Sequence, residues 1–219
     1  MTKKEKISLV FNCLIAVFAV FWSVLCFGEI YIIPTVPIEH GIKMFKFFTV
    51  QSNVLAGVVA IVYIIYLITQ NKTKKQMPLF VYILKFIVTI DLIITFLVVA
   101  LFLGFIVEEG YFSLYTNANL FFHFLIPVLN FISFIAFENK RPLKIWHTFI
   151  GILHVVLYSI FYLTVVFLHL ENGAVDIKYD WYAFTQRGPL GAFICAVVIL
   201  GFSYLLSFAL YKFSTKKIK

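Results

Sequence analysis

The sequence predicts an all-α membrane protein of six transmembrane helices, and two observations carry that reading: its composition and the lengths of its apolar runs. Of the 219 residues, 63% are apolar or aromatic and only 13% are charged. Soluble domains hold about 45–50% apolar and about 25% charged residues. A water-soluble core of this size has no room for the excess, so the surplus apolar surface faces lipid. Six runs, at residues 7–27, 48–68, 80–106, 120–137, 145–168 and 190–211, come close to the roughly 20 apolar residues that cross hydrocarbon as a helix. A membrane β-barrel shows segments of about ten residues with alternating polarity, and the sequence has none. The connections are short, so residues 1–219 read as a single six-helix transmembrane domain.

The first run follows Lys3, Lys4 and Lys6 and is too long for the apolar core of a signal peptide. No small-residue cleavage pattern follows Leu25–Gly28, and Leu25 stands where a lipoprotein site at Cys26 needs a small side chain. It reads as the first span. The second run enters through Phe47, Phe48 and Thr49 and ends before Lys72, Lys74 and Lys75. The third carries Asp91 midway, with Thr95 one turn on, and the fourth holds Asn119, His123, Pro127 and Asn130. His154 lies in the fifth, and the sixth follows the aromatic stretch Tyr179–Phe184. Cys13, Cys26 and Cys195 fall inside apolar runs with no disulfide or metal spacing, and are expected to be small core residues.

Charge sets the expected orientation. The formal net charge is +8, but its placement argues against nucleic acid. Lysines and arginines crowd alternate connections: Lys3, Lys4 and Lys6; Lys72, Lys74 and Lys75; Lys140, Arg141 and Lys144; then Lys212, Lys216, Lys217 and Lys219. The other connections hold Glu29, Glu39, Glu108, Glu109, Glu171, Asp176 and Asp180, with few cations. The positive-inside rule then puts both termini in the cytoplasm of a multi-pass cell-membrane protein. The basic clusters also suit anionic lipid headgroups.

Polar groups inside spans are costly and therefore informative. Thr49, Ser52 and Asn53 open the second span from the outer side, and Asn119, His123 and Asn130 form a stripe along the fourth. Thr49 and His123 come out at nearly the same depth. With Asp91, His154, Trp181 and Arg187 they are expected to line one cavity toward the outer leaflet. Hydrogen-bonding glue between helices is the plain alternative for Ser52 and Asn53, packing for His123, and a structural pair with His154, Lys85 or a backbone group for Asp91. Trp181, with Tyr179 and Tyr182, also suits an interfacial aromatic belt.

A threonine hydroxyl becomes a nucleophile when a base takes its proton, and histidine is the usual base. Asn53, Asn119 or Ser52 would orient the ring or donate to an oxyanion. The five histidines show no metal-ligand spacing, so neither metal nor cofactor is expected.

Three short motifs carry a resemblance. Phe45–Asn53, reading FKFFTVQSN, Asn119–His123 followed by Pro127, and Trp181–Phe184 resemble motifs of the androgen-induced protein family and its bacterial six-helix relatives. Ala183 stands where that family has proline, and Pro127 comes one residue early. The resemblance implies a six-helix fold and a hydrolase of fatty acyl esters, with Thr49 as nucleophile and His123 as base. Its partners would be membrane lipids and a lipid-like substrate. The alternative is a non-enzymatic membrane protein, a small transporter or a helper of a membrane complex. A transporter would use Asp91 and His154 as a proton or cation site.

Overall fold

The computed structural model of this chain describes residues 1–28, 39–107, 110–138 and 141–216. Glu29, Glu108, Glu109, Lys140, Lys217 and Lys219 of the charge pattern lie outside the described residues, as do the side chains of Gln186, Arg187 and Lys216. The long elements are all helices: α1 (Lys3–Phe27), α2 (Phe48–Thr73), α3 (Leu79–Ile106), α4 (Asn117–Phe137), α5 (His147–Gly151), α6 (Leu153–Leu168) and α7 (Gly188–Lys216). A single bridge, Glu171 to Ala174, is the extended pairing among the described residues. Five helices, α1 to α4 and α7, are long and apolar enough to cross a membrane. The run expected at 145–168 is instead broken at Ile152, whose φ of −101° and ψ of 4° separate α5 from the shorter α6.

Local chemistry sets the ends. Thr2 and Glu5 cap α1 reciprocally, backbone N–H to side chain in both directions. Lys74, in the left-handed region at φ 61°, stops α2. Pro78 precedes α3, where its missing N–H costs nothing.

The chain divides into two compact units, one of Met1–Leu143 with Ser214–Lys219 and one of Lys144–Phe213. In the first, α1 to α4 run up, down, up, down. Ser8 bonds Tyr63 while a Cβ on Gly57 would lie 2.8 Å from that of Ala19, so α1 and α2 are antiparallel and very close. Tyr82 and Phe86 meet Phe134 across α3 and α4. The core of this bundle includes Ile15, Ala19, Ala56, Ala60, Val88 and Phe122. Cys26 is buried, Cys195 half-buried, and Cys13 lies exposed on α1, unlike the core position expected for it. In the second unit, Ser207 donates to the Thr148 carbonyl at 2.8 Å and Phe149 packs on Tyr204, which pairs α5 with α7.

Two helices of the first unit widen into π turns among the described residues: α3 at Val99–Leu103, and α4 at Phe121–Leu125 and Ser133–Phe137. Each such turn leaves a carbonyl for an outside donor. In α3 that donor is the Tyr111 hydroxyl, 3.0 Å from the Ala100 carbonyl. Gly104 makes room for it, since a Cβ there would fall 2.6 Å from the Tyr111 ring.

Candidate functional site

The π turn that carries His123 follows from Pro127. Proline has no N–H, so the carbonyls of Phe122 and His123, five and four residues before it, receive nothing from that position. The N–H of Ile126 goes to Phe121, five residues back. Phe122 is thereby left without its helical donor, and Asn53 supplies one through Nδ2 at 3.0 Å. The same amide donates to the Thr49 carbonyl at 2.7 Å. One side chain thus ties the first turns of α2 to the turn of α4 next to His123.

His123 itself is 7% exposed. Its Nδ1 lies 2.7 Å from the Leu114 carbonyl. A carbonyl only accepts, so Nδ1 carries the hydrogen and Nε2 of the neutral ring keeps the basic lone pair. Thr49 is half-buried at the head of α2. Its hydroxyl makes no hydrogen bond among the described residues, so Thr49 and His123 are not bonded to each other here. Leu114 belongs to the short turn Tyr111–Tyr115 outside the spans, where burial and the neighbouring Tyr111 raise Tyr115 to about 12, keeping it a neutral phenol.

The neighbours expected to help are otherwise engaged. Ser52 donates to the Thr49 carbonyl at 3.0 Å, so in its 3.0 Å contact with Thr95 the Thr95 hydroxyl is the donor. Both N–H groups of Asn53 are used, while its Oδ1 is buried without a partner among the described residues. Asn119 is half-buried in the first turn of α4, its amide unengaged among the described residues.

The remaining expected residues are divided between the two units. Asp91 is wholly buried midway along α3, in the first unit, and His154 is half-buried on α6, in the second. Trp181 donates from Nε1 to the Tyr158 hydroxyl at 3.0 Å, inside an aromatic cluster with Phe161 and Tyr162. Asp180 anchors that cluster, accepting from the Phe184 and Thr185 N–H groups and from the Tyr162 and Thr185 hydroxyls. Arg187 closes the short turn Phe184–Arg187.

Asn130 joins a second polar centre that the sequence reading missed. Its Oδ1 accepts from Lys85 Nζ at 2.7 Å, and its Nδ2 donates to the Thr89 hydroxyl at 2.9 Å. Lys85 pairs with Glu138 at 3.0 Å, both side chains 0% exposed, rather than with Asp91 as one expected alternative had it. Asn12 on α1 and Ser133 on α4 complete the group. The available signal was the run of polar residues in apolar spans, Asn12 and Lys85 above all.

No three side chains of histidine, cysteine, aspartate or glutamate gather as a metal site among the described residues. Comparison with protein-family models, with characterised proteins and with solved structures finds no match for this chain.

Proposed function

We propose that this chain is an integral membrane hydrolase of fatty acyl esters, with Thr49 as nucleophile, His123 as general base and the site near the outer leaflet. In this reading the chain spans six times, α5 and α6 together making the fifth span, with both termini cytoplasmic as its lysines suggest. The observation that carries it is the Asn53 tie, which draws the Thr49 turn and the His123 turn to one level of the bundle. Further support comes from the ring of His123, held by Leu114 in the tautomer whose Nε2 accepts a proton. The π turn adds to this, since such turns concentrate at functional positions.

The chemistry follows in two steps. His123 Nε2 takes the Thr49 proton as the hydroxyl oxygen attacks the ester carbonyl, and the imidazolium then protonates the departing alcohol. Water, activated by the same nitrogen, cleaves the acyl-threonine and restores both groups. Asn119 is the proposed donor to the oxyanion, because Ser52 and Asn53 have no hydrogen left to give. The hydrogen bond between Thr49 and His123 forms with substrate in place, as catalytic bonds often tighten only then.

The test is turnover of a long-chain p-nitrophenyl ester by purified protein. His123→Ala is expected to lower the rate by about 10²–10⁴-fold, the usual worth of a general base, and Thr49→Ala to abolish it. Equal turnover by folded wild type and both variants rejects the assignment. A second reading, transport, draws on Asp91, fully buried in mid-span. Proton flux into proteoliposomes that is lost in Asp91→Asn would favour it over hydrolysis.

A further inference from the structure

The centre around Lys85 takes no part in that chemistry and does not depend on it. Lys85 Nζ reaches three oxygens: Asn130 Oδ1 at 2.7 Å, Asn12 Oδ1 at 3.0 Å and Glu138 Oε1 at 3.0 Å. All three oxygens accept, so the nitrogen spends three hydrogens and is a full ammonium. Glu138 Oε1 in turn sits among three donors, Lys85 Nζ, Ser133 Oγ at 2.9 Å and Asn12 Nδ2 at 3.5 Å. These donors come from three different helices and are held by others in turn. Asn12 also bonds the Ser8 carbonyl, and Asn130 is fixed by Thr89.

The occupant fits less well than the seat. Glu138 Oε2 is buried and has no hydrogen-bond partner among the described residues. A buried charge with an idle oxygen forfeits part of what desolvation costs it. Glu138 also directly follows the last residue of α4, in extended conformation, so its side chain swings out without unwinding the helix.

We propose that Lys85, Ser133 and Asn12 form a carboxylate-binding site within the membrane, filled here by Glu138 and open to exchange with the carboxylate of a fatty-acid-like amphiphile. The surroundings favour an alkyl tail over a hydrated anion: Tyr63, Tyr82, Phe86 and Phe134 are all fully buried around this end of the bundle. Exposed Lys3, Lys4, Lys6, Lys72, Lys74 and Lys75 at the same end draw anions toward it. On exchange Glu138 regains water while Lys85 keeps a counter-ion, so neither charge is stranded.

The experiment is a thermal-shift titration of the full chain in dodecyl maltoside with laurate, methyl laurate and acetate. Bound ligand raises the melting temperature by mass action. Laurate is expected to stabilise wild type modestly and to bind Glu138→Gln about tenfold more tightly, the effect of roughly one lost competing interaction. Lys85→Met/Glu138→Gln, in which both charges are gone and packing is kept, is expected to lose the response. Laurate acting without acetate is the expected result and supports an amphiphile as the occupant, whereas equal action by acetate overturns it. Should Glu138→Gln fail to fold, wild type supplies the decision. Laurate and methyl laurate giving the same shift in wild type, or no tighter binding in a folded Glu138→Gln, overturns the proposal.

Discussion

Asn53 shows how a single amide joins two helices. Its hydrogen bonds go to backbone carbonyls, one of them stripped of its helical donor by a proline in another span. Asn53→Leu therefore leaves the Phe122 carbonyl bare in an apolar interior. The expected loss is about 1–2 kcal/mol, above the roughly 0.6 kcal/mol of an average interhelical bond in membranes, read by thermal unfolding. At Lys85 the sign depends on how many charges are removed. Lys85→Met alone strands Glu138 and should cost about 3–5 kcal/mol, whereas Lys85→Met/Glu138→Gln should recover most of that loss, because it is the unpaired charge that is expensive. A double-mutant cycle that shows no recovery would contradict this. At this scale the sequence was partly legible. Thr49 and His123 stand out as reactive side chains in apolar runs, but the role of Asn53 could not be read, since its partners are main-chain atoms. The pairing of Lys85 with Glu138 was hidden because the long stretch of chain between them gives no hint that the end of α4 folds back on α3.

Among the helices, five of the six apolar runs match helices long enough to cross a membrane, and the interiors of the runs were read poorly. Hydropathy sees α4 as one stretch, while the structure begins it at Asn117 and widens it twice. Pro127 was visible as a helix disturbance, but which carbonyl it would free depends on whether the turn before it is α or π. Pro127→Ala supplies an N–H to that turn. It is expected to raise stability by about 0.5–1.5 kcal/mol, one net hydrogen bond, while ester turnover falls because the His123 turn closes. A variant that gains stability with turnover unchanged would separate the π turn from activity. Gly57 is the complementary case. Any side chain there meets Ala19 Cβ at 2.8 Å, so Gly57→Val should lower stability by about 1–3 kcal/mol through overpacking, measured against Gly57→Ala as the smaller insult. The break at Ile152 was only faintly marked, by Gly151 directly before it, since a single glycine in an apolar run weakens a helix without requiring that it end and no proline stands nearby.

For the molecule as a whole, composition and run length led to a helical membrane protein, and five of the described helices have the length and apolarity for it. Six spans are proposed from the apolar runs and cytoplasmic termini from charge placement, which cysteine accessibility tests: in a cysteine-free background, Lys74→Cys is expected to react only from the cytoplasmic side and Lys43→Cys only from outside. Reaction of both from one side would redraw the topology. Catalysis is tested most directly by mapping the adduct of a long-chain fluorophosphonate on the intact protein by mass spectrometry. The expected result is a phosphonate on Thr49, missing in Thr49→Ala and strongly diminished in His123→Ala. An adduct on neighbouring Ser52, or labelling that persists in Thr49→Ala, would contradict the assignment of Thr49 as the nucleophile.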